Sequence, residues 1–425
     1  MFSSHTRHVA VLGGTRTAFA RSYGTFAGAG NRELLTAALD GLARRFGLDD
    51  GARVGEVVAG AVLKHSSDFS LAREAVLDSL LDSRTPAHDV QQACATGIRA
   101  VLVAAGQIAS GATDSAVAGG TDTLSDAPLM LGDRLRHTLL DAARARTLPA
   151  RLRTLARLRP RDLVPVPVHP DTRTGLSMGD HVALSARAWG ISRAEQDELT
   201  VASHRRLATA YDIGFLTDLV LPHRGVAVDE NLRRDTTADQ LARLRPVFGT
   251  DHPETAMTAG NSTALTDGAA VVLLATDGWA RDQGLTPLAY LTAHETAAVD
   301  FPHSLDDPFH GMMMAPAQAV PRLLRRTGLT LADFDFVEIH EAFAAQVLAH
   351  LAAWEKAGLG VVDRDRLNVT GSSLATGHPF AATGARIVAT LAKLLAERDG
   401  RRGLVSIGGA GGIGVAAILE RPPAG

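Results

Sequence analysis

The chain has 425 residues and a formal net charge of −3, with 46% hydrophobic and 21% charged residues. This composition predicts a globular protein with large buried cores, and its near-neutral charge gives no argument for a nucleic-acid partner. The first residues lack the apolar core of a signal peptide, and no apolar run reaches the ~18–20 residues that cross a bilayer. The single cysteine excludes an intrachain disulfide, so we expect a cytoplasmic location.

The order of short apolar runs predicts an α/β fold. In the first third of the chain, we expect strands over residues 8–14, 55–62, 89–93 and 115–120, and helices over residues 34–46 and 97–110. A similar order returns near the C terminus, with strands over residues 334–339, 367–370 and 403–407 and a helix over residues 384–397. Both parts end in a glycine-rich turn, which indicates two α/β layers related by duplication.

A segment of different composition, Arg134 to Val168, separates the two parts. Within it, residues Arg144–Arg161, called the basic segment below, hold seven arginines and no acidic residue. Leucines at helical intervals form one apolar stripe in this region: Leu148, Leu152, Leu155 and Leu158. The pattern is typical of a solvated basic helix, and it also fits contact with an anionic membrane surface, a partner subunit or substrate phosphates.

Cys94 lies between a predicted strand and an alanine-rich helix, in the run VQQACATGI. A thiol at a helix N-terminus faces unpaired backbone N–H groups and the positive end of the helix dipole, which favour the thiolate. Gly97 permits close approach of the backbone in that turn. A nucleophilic thiol also needs a base within hydrogen-bonding distance. Cys94 is therefore predicted to be a nucleophile whose base comes from elsewhere in the chain.

Two histidines occupy positions that suit such a base. His378 stands in the loop TGHPFAATG, where Pro379 interrupts a regular helix and small residues flank the imidazole. His340 directly follows the predicted strand FDFVEI. A side chain at the C-terminal end of a strand typically faces the crevice in which α/β proteins bind ligands. Most of the sixteen histidines are expected to be ordinary surface or core residues, and these two differ by their positions.

The runs around these residues resemble the thiolase superfamily of acetyl-CoA acyltransferases. They are HEAFA at residues 340–344, GHPFAATGAR at 377–386, the Cys94 turn, Arg16-Thr17, GGTDTLSD at 119–126, SMGDH at 177–181 and AGNSTALTDGAA at 259–270. They follow the family's order and spacing over nearly the whole chain. The chain most resembles the trifunctional-enzyme β-subunit type of 3-ketoacyl-CoA thiolase, which has histidine at the position of His340 and carries a long basic insertion.

The resemblance implies the thiolase fold, with two duplicated βαβαβαββ halves in a five-layer arrangement and a loop domain over the site. The N-terminal half would span residues 1–128 and be completed by about residues 256–278. The loop domain with the basic segment would span residues 129–255, and the C-terminal half residues 279–425. Proteins of this type are homodimers or homotetramers, and a hydratase/dehydrogenase subunit is a candidate partner for the basic segment.

The resemblance also implies a role for each residue of the site. Cys94 would become acylated after giving its proton to His378, while His340, directly or through a water, would polarise a second acyl-thioester. The backbone N–H groups of Cys94 and Ala410 would form an oxyanion hole, where one donor contributes about 2.7–4 kcal/mol. Coenzyme A thioesters would be the substrates, and no other cofactor and no metal ion is expected. Five residues match positions that line the pantetheine and acyl tunnel: Ser177, Met178, Thr263, Met312 and Phe343.

The chain departs from the family at one catalytic position. Family thiolases carry a second cysteine at the start of C-x-x-G-G-x-G, where this chain has Gly408, and no other cysteine replaces it. That thiol exchanges the proton at the α-carbon or at the leaving sulfur, and such acid–base assistance contributes about 10²–10⁴-fold. Ser406 lies two residues too early to take over this role. The set that remains is similar to the Cys-His-His set of decarboxylating ketoacyl synthases, which need no second cysteine.

Three functions therefore stay open. The first is a 3-ketoacyl-CoA thiolase, working by thiolysis or Claisen condensation, in which a histidine covers both proton transfers. The second is a specialised C–C bond-forming acyltransferase of secondary metabolism, which uses an activated or pre-acidic nucleophile. The third is an inactive thiolase-like scaffold subunit, and the retention of Cys94, His340 and His378 in their loops argues against it.

Overall fold

The computed structural model describes residues 7–50, 53–129, 131–163 and 170–423, the side chains of residues 161 and 163 excepted. The chain divides into two compact units. The main unit consists of Met1–Asp126 and Met178–Gly425, and the small unit is Ala127–Ser177. The separate unit is thus shorter than the loop domain predicted over residues 129–255, because the chain from Met178 onward packs with the main unit.

The strands are β1 (Ala10–Thr17), β2 (Ala20–Arg21), β3 (Glu56–Ala59), β4 (Ala87–Asp89), β5 (Ser115–Asp122), β6 (Val220–Leu221), β7 (Pro246–Phe248), β8 (Met257–Thr258), β9 (Thr266–Ala275), β10 (Ala289–Ala298), β11 (Phe336–Ile339), β12 (Arg402–Gly409) and β13 (Ile413–Glu420). The helices are α1 (Asn31–Phe46), α2 (Leu71–Asp78), α3 (Thr96–Ser110), α4 (Asp133–Arg144), α5 (Leu148–Leu155), α6 (Met178–Ala188), α7 (Arg193–Asp212), α8 (Ala238–Ala242), α9 (Asp277–Asp282), α10 (Pro316–Thr327), α11 (Ala344–Lys356), α12 (Ser373–Thr376) and α13 (Ala382–Glu397). Single 3₁₀ turns occur at Ser66–Asp68, Pro160–Leu163, Leu331–Asp333 and Arg364–Arg366.

Within the described residues, one large sheet has the order β11-β12-β13-β10-β1-β9-β5-β3-β4, with β2 on β9 and β6 on β1. The N-terminal half runs β1-α1-β3-α2-β4-α3-β5 and closes with β9, and the C-terminal half runs β10-α10-β11-α11-α13-β12-β13. In each half the last strand pairs antiparallel with the first, and the halves meet where β1 pairs with β10. The predicted duplicated α/β fold is therefore confirmed.

Two predicted strands need correction. The strand predicted over residues 89–93 ends at Asp89, and a turn follows in which Ala93 has a positive φ of 46°. The run predicted over residues 367–370 forms only an isolated bridge between Leu367 and Val337. Asn368 has a positive φ of 45°, a conformation that takes the chain out of an extended strand. The other predicted strands and helices are present, with ends shifted by a few residues.

Helices α3 and α13 hold equivalent places in the two halves and pack directly against each other. Their backbones approach so closely that a Cβ on Gly97 would lie 2.4 Å from the carbonyl oxygen of Ala381. A Cβ on Gly384 would lie 2.1 Å from the backbone nitrogen of Ile98. Only glycine fits at both positions. This contact brings the N-terminal end of α3, next to Cys94, close to the loop that precedes α13.

One stretch of the chain, Ala93–Ser110, is long and apolar enough to cross a membrane by length and composition alone, with a mean hydropathy of 1.3. The sequence expectation overlooked it. More than half of the stretch is buried inside the protein. Core helices of soluble proteins have the same composition, and α3 is such a central helix, packed on β5 and α13.

The small unit contains helices α4 and α5. The predicted basic helix is present over Leu148–Leu155, where the Thr147 side chain caps the first turn by accepting from the N–H of Ala150. The side chains of Leu148 and Leu152 are exposed. Residues 164–168 of the predicted insertion and the side chain of residue 161 lie outside the described residues.

Candidate active site

Cys94 lies in a tight turn between β4 and α3. The preceding residue, Ala93, has a positive φ of 46°, which is uncommon for a residue with a side chain. The hydroxyl of Thr96 holds the turn, because it donates to Ala93 O at 2.7 Å and accepts from the N–H of Gln92 at 2.8 Å. Backbone strain of this kind persists where the surrounding structure over-determines it, as it often does at functional sites.

The Cys94 thiol is protonated at neutral pH. Burial raises its pKa to about 11, and the charge of Asp122 adds to the rise. The backbone N–H groups of Ala410 and Cys94 face the sulfur and lower the pKa, but by less than burial raises it. The thiolate expected from the helix N-terminus is therefore not the resting state, because that local expectation omits desolvation by the rest of the fold.

His340 extends β11 by one residue, and its N–H donates to Ser406 O on β12 at 2.9 Å. Its ring is fully buried. Nδ1 lies 2.8 Å from Ser373 Oγ, whereas Nε2 has no hydrogen-bond partner among the residues described. Burial, the neighbouring His378 and the charge of Arg386 hold the pKa of His340 well below its usual value, so the imidazole is neutral.

His378 reaches the same place from the loop between α12 and α13. Its Nδ1 lies 2.7 Å from Thr383 Oγ1, and the Thr383 hydroxyl donates to Pro379 O at 3.2 Å. With the hydroxyl proton donated to that carbonyl, Nδ1 of His378 is left as the donor to Thr383 Oγ1, and the lone pair of the ring is then on Nε2. Burial, assisted by the charge of Arg386, lowers the pKa of His378 to about 3. The ring is therefore a neutral imidazole at neutral pH, with the Nε2 lone pair available to accept a proton.

The structure brings Cys94, His340 and His378 together. One ring nitrogen of each histidine and the cysteine sulfur all lie within 4.8 Å of one another, and the two ring centroids are 4.2 Å apart. Since a hydroxyl occupies Nδ1 of each ring, Nε2 is the nitrogen left for chemistry. Thiolate and imidazole are also ligands for soft divalent metal ions, so the same cluster could hold one. A thiol flanked by two neutral imidazoles is an arrangement for proton transfer.

The backbone N–H groups predicted for the oxyanion hole lie on two different elements. Cys94 N belongs to the turn before α3, and Ala410 follows the end of β12. Both N–H groups face the Cys94 sulfur. A tetrahedral oxyanion formed at a carbon bonded to this sulfur would lie near the same donors, which is the geometry that an oxyanion hole needs.

The residues predicted to bind substrate fall into separate places. Thr263 lies beside the histidine pair, because its N–H donates to Ala342 O at 3.0 Å and its hydroxyl to Ser373 O at 2.6 Å. Phe343 lies three residues after His340, at the start of α11, and its ring packs edge-on against Phe248 with centroids 6.3 Å apart. Both side chains are half-buried, as residues at the wall of a tunnel would be.

Met178 and Met312 form a second group of predicted substrate residues. Met312 is buried in a small apolar cluster with Val299 and Phe301, and Met178, the first residue of α6, packs half-buried against that cluster. Ser177 is the last residue of the small unit. The part that these residues play in binding stays a prediction.

Gly408 is the residue predicted to replace the family's second cysteine, and the space beside it is occupied. A Cβ there would lie 3.2 Å from Met313 O and 3.4 Å from Met313 Cε. Nε2 of His350 lies 2.7 Å from Met313 O and binds it, so that carbonyl cannot move freely. Gly409 differs, because a Cβ there would lie 3.5 Å from Cys94 N and 3.8 Å from Cys94 Cβ, in ordinary contact.

Two buried polar side chains lie on the strands beneath the histidines. Glu338 on β11 and Ser406 on β12 are fully buried, and their oxygens have no hydrogen-bond partner among the described residues. Burial raises the pKa of Glu338 to about 8, although the charge of Arg386 lowers it. The expectation that Ser406 does not take over the role of the second cysteine stays a prediction.

Sequence reasoning missed the polar groups that surround the two imidazoles. Ser373, Thr383 and Arg386 contact the imidazoles or set their charge, and all three lie within eight residues of His378 along the chain. Asp122 accepts from the N–H groups of two residues after β3 and from the N–H of residue 381, which ties the end of β5 to the loop after His378. The available signal was a hydroxyl or a charge in a run otherwise rich in glycine and alanine.

Comparison with known protein families gives matches over most of the chain. The model described as "Thiolase, N-terminal domain" matches residues 9–278, and "Thiolase, C-terminal domain" matches residues 285–421. The chain is 40% identical over 430 aligned positions to the 3-ketoacyl-CoA thiolase of Yersinia pestis (strain Pestoides F), with 97% of this chain and 96% of the relative covered. The protein of the same name from Yersinia pseudotuberculosis serotype O:1b (strain IP 31758) is equally similar.

Solved structures share the fold over the full length. The acetyl-CoA acetyltransferase of Bacillus anthracis superimposes with a TM-score of 0.82 at 29% identity, covering 99% of this chain and 100% of its own. Human mitochondrial 3-ketoacyl-CoA thiolase gives a TM-score of 0.81 at 28% identity, with 98% and 99% covered. The residues matched by the two thiolase domain models include Cys94, His340 and His378.

Proposed function

The chain belongs to the thiolase family and is an acyltransferase, and on that premise we propose that it carries the acyl group as a thioester on Cys94. The acyl group passes between coenzyme A and a carbon or sulfur nucleophile, in 3-ketoacyl-CoA thiolysis or in Claisen condensation. The names of the relatives support these substrates. Coenzyme A thioesters are the substrates in this proposal, and no further cofactor takes part.

The observation that carries the proposal is the cluster of Cys94, His340 and His378. A nucleophile, a neutral base and a neutral ring meet within 4.8 Å, and the backbone N–H groups of Cys94 and Ala410 face the sulfur. A scaffold protein would have no reason to keep two buried imidazoles with unpartnered Nε2 atoms, because buried polar atoms without partners destabilise a fold. The cluster therefore argues for catalysis.

The first step forms the acyl-enzyme. Nε2 of His378 takes the Cys94 proton as the sulfur attacks the thioester carbonyl, and the N–H groups of Cys94 and Ala410 stabilise the tetrahedral oxyanion. In condensation the intermediate collapses with loss of the coenzyme A thiolate, and in thiolysis it collapses with loss of the α-carbanion of the shortened thioester. Either leaving group takes the proton back from the His378 imidazolium. Because the pKa of buried His378 is lowered to about 3, that imidazolium is a strong acid toward the leaving thiolate.

The second step transfers the acyl group. In condensation, His378 takes the α-proton of a second thioester, the carbanion formed attacks the Cys94 thioester, and His340 stabilises the oxygen on which the negative charge is shared. In thiolysis, coenzyme A attacks instead and gives its proton to His378. Cys94 leaves as a thiolate in both directions and takes the proton that His378 has just accepted. A neutral ring next to the sulfur can serve as the donor to the enolate oxygen.

Mass spectrometry tests the acyl-enzyme directly. The protein is incubated with acetyl-, malonyl- and longer 3-ketoacyl-CoA donors and then digested. We expect the acyl mass on one peptide, the one that contains Cys94, and its loss in Cys94→Ala. In His378→Ala the adduct should form at least about 100-fold more slowly, in the range of lost general-base assistance. An intact, folded protein that gives no adduct with any donor would exclude the proposal.

A specialised condensing reaction is a second candidate, favoured by the site of Gly408. No thiol is available there, and the adjacent space is taken by Met313. A nucleophile that is acidic already, or one that forms its carbanion by losing CO₂, needs no second base at the α-carbon. Rates of condensation and thiolysis compared with the same acyl group separate the two candidates, because only the specialised enzyme condenses well and thiolyses poorly.

The assembly and location of the protein are further proposals. The resemblance to the trifunctional-enzyme β-subunit type supports a homodimer or homotetramer, and the single cysteine supports a cytoplasmic location. The exposed Leu148 and Leu152, flanked by arginines, support the basic segment as a contact for an anionic membrane surface or for a hydratase/dehydrogenase subunit. Light scattering of the purified protein tests the oligomeric state, and a monomer at micromolar concentration would contradict it.

A further inference from the structure

His340 is connected to a buried charge through one hydroxyl. Its Nδ1 lies 2.8 Å from Ser373 Oγ, and Arg386 Nη2 donates to the same oxygen at 3.0 Å. All three side chains are buried. Although burial lowers the pKa of Arg386 to about 10, the guanidinium stays charged at neutral pH. A guanidinium only donates hydrogen bonds, so Ser373 Oγ is an acceptor toward it.

The Ser373 hydroxyl has a single proton, and only one acceptor is left for it. Among the described residues, the side chain of Ser373 contacts only Arg386 and His340 by hydrogen bonds. With Arg386 as donor, the hydroxyl donates to Nδ1 of His340. If Nδ1 carried the proton instead, the buried hydroxyl would have no acceptor, which proteins avoid.

The neighbouring serine shows what the alternative looks like. Ser372 Oγ also accepts from Arg386 Nη2, at 3.1 Å, but its hydroxyl lies 3.4 Å from Ile339 O and can donate there. Ser372 therefore satisfies its proton without a histidine. The two serines have the same donor and differ only in the acceptor, so they form a matched pair.

We propose that Ser373, oriented by Arg386, is a positioning residue that holds His340 in the Nε2–H tautomer. Nε2 then presents an N–H to the cluster while the ring stays neutral. His378 is held in the opposite tautomer by Thr383, with its Nε2 lone pair toward the same space. The hydroxyl bonded to Nδ1 of each ring thus makes Nε2 of His340 a donor and Nε2 of His378 an acceptor.

The assignment matters because His340 has no other way to donate. Burial and two nearby groups, His378 and Arg386, keep its pKa well below the usual value, so an imidazolium with two N–H groups does not form at neutral pH. A neutral ring donates through one nitrogen only. If that nitrogen were Nδ1, Nε2 would present a lone pair to the enolate oxygen and repel it. This catalytic consequence rests on the proposed function, whereas the tautomer itself does not.

Nuclear magnetic resonance on protein labelled with ¹⁵N-histidine tests the tautomers without substrate. Long-range ¹H–¹⁵N spectra distinguish a protonated from an unprotonated ring nitrogen, and His340→Asn and His378→Asn assign the two signals by their loss. In the unmodified protein we expect His340 protonated at Nε2 and His378 protonated at Nδ1. A His340 signal protonated at Nδ1, or the same tautomer for both rings, would overturn the proposal.

Kinetics of Ser373→Ala and its control Ser372→Ala test the consequence. Ser373→Ala should slow acyl transfer to the second thioester by at least about 10-fold, with about 10²–10³-fold as the upper range for loss of one oxyanion donor. Acylation of Cys94 and the KM of the first donor should change little. Ser372→Ala should retain the His340 tautomer and lose less than about 3-fold of transfer.

Equal losses in the two serine variants would refute the positioning role of Ser373, because they would show a general effect of removing a hydroxyl near Arg386. Failure of the proposed function has a different signature, namely no adduct on Cys94 in the unmodified protein. The tautomers measured without substrate stay informative in that case.

Discussion

Gly408→Cys restores the thiol that family members carry, and the structure gives its cost. Gly408 is not among the glycines with positive φ, so a side chain there meets no backbone strain. Its Cβ would lie 3.2 Å from Met313 O, which His350 holds at 2.7 Å. Overpacking of this kind costs about 1–3 kcal/mol, and replacing glycine recovers about 0.4–1 kcal/mol through the unfolded chain. We therefore expect a net loss of about 1–2 kcal/mol in the free energy of unfolding.

Gly408→Ala is the matched control for the catalytic effect. It introduces the same Cβ and the same contact with Met313 without a thiol. If the absent thiol limits proton exchange at the α-carbon, Gly408→Cys should thiolyse acetoacetyl-CoA about 10²-fold faster than Gly408→Ala, at the lower end of general acid–base assistance. Acylation of Cys94, measured by mass spectrometry, should be equal in the two variants. Urea unfolding measures the loss of stability in each.

Two results would refute this reasoning. The first is thiolysis by the unmodified protein as fast as its acylation of Cys94, because a histidine would then already perform the second proton transfer. The second is a folded, acylated Gly408→Cys variant that is no faster than Gly408→Ala. The first result would also establish the ordinary 3-ketoacyl-CoA thiolase over the specialised condensing enzyme.

Three further predictions follow from the protonation state and the packing. The rate of alkylation of Cys94 by iodoacetamide should rise about 10-fold per pH unit from pH 7 to 9 with no plateau, because the thiolate fraction of a thiol with a raised pKa grows in proportion to hydroxide. A plateau near pH 7 would instead reveal a thiolate–imidazolium pair. Gly409→Cys should form a disulfide with Cys94 that dithiothreitol reverses, because the added Cβ would lie 3.8 Å from Cys94 Cβ; retention of two free thiols after mild oxidation would contradict this. Replacing four arginines of the basic segment with glutamine should weaken binding to anionic vesicles or to a hydratase/dehydrogenase subunit, while turnover of short acyl-CoA stays near that of the unmodified protein. The four are Arg151, Arg153, Arg157 and Arg159. Loss of turnover with unchanged association would show that the segment serves the chemistry.

Most of the fold was predictable from short-range patterns. Buried runs closed by glycines gave β1, β5 and β12, and the alanine-rich runs gave α3 and α13, because apolar period and turn residues act within a few positions of the chain. The failures have a common cause. Ala93 and Asn368 adopt positive φ. Asparagine tolerates this conformation better than most residues, but it adopts it only in some contexts, and nothing in the residue type at Ala93 predicts it.

The site was predictable in its members but not in its electrostatics. Cys94, His340 and His378 stand at marked positions, and the resemblance to a family named them together. The pKa of Cys94 could not follow from the sequence, because the helix N-terminus acts locally while burial and Asp122 act only after folding. The tautomers of the histidines depend on which hydroxyl has a second acceptor, a matter of distances between side chains.

Following each proton through thiolysis shows that a second thiol is not required if His378 contacts the α-carbon. In thiolysis, the proton that Cys94 gives to His378 is the one that the departing α-carbanion needs, and coenzyme A later supplies the one that Cys94 recovers. One base therefore suffices if its Nε2 contacts both the sulfur and the α-carbon. His340, as an Nε2–H donor, stabilises the enolate oxygen but supplies no proton to carbon without becoming an anion. The ratio of thiolysis to acylation thus measures whether His378 reaches the α-carbon. A nucleophile that loses CO₂ needs no proton transfer at the α-carbon, so glycine at position 408 does not slow that reaction.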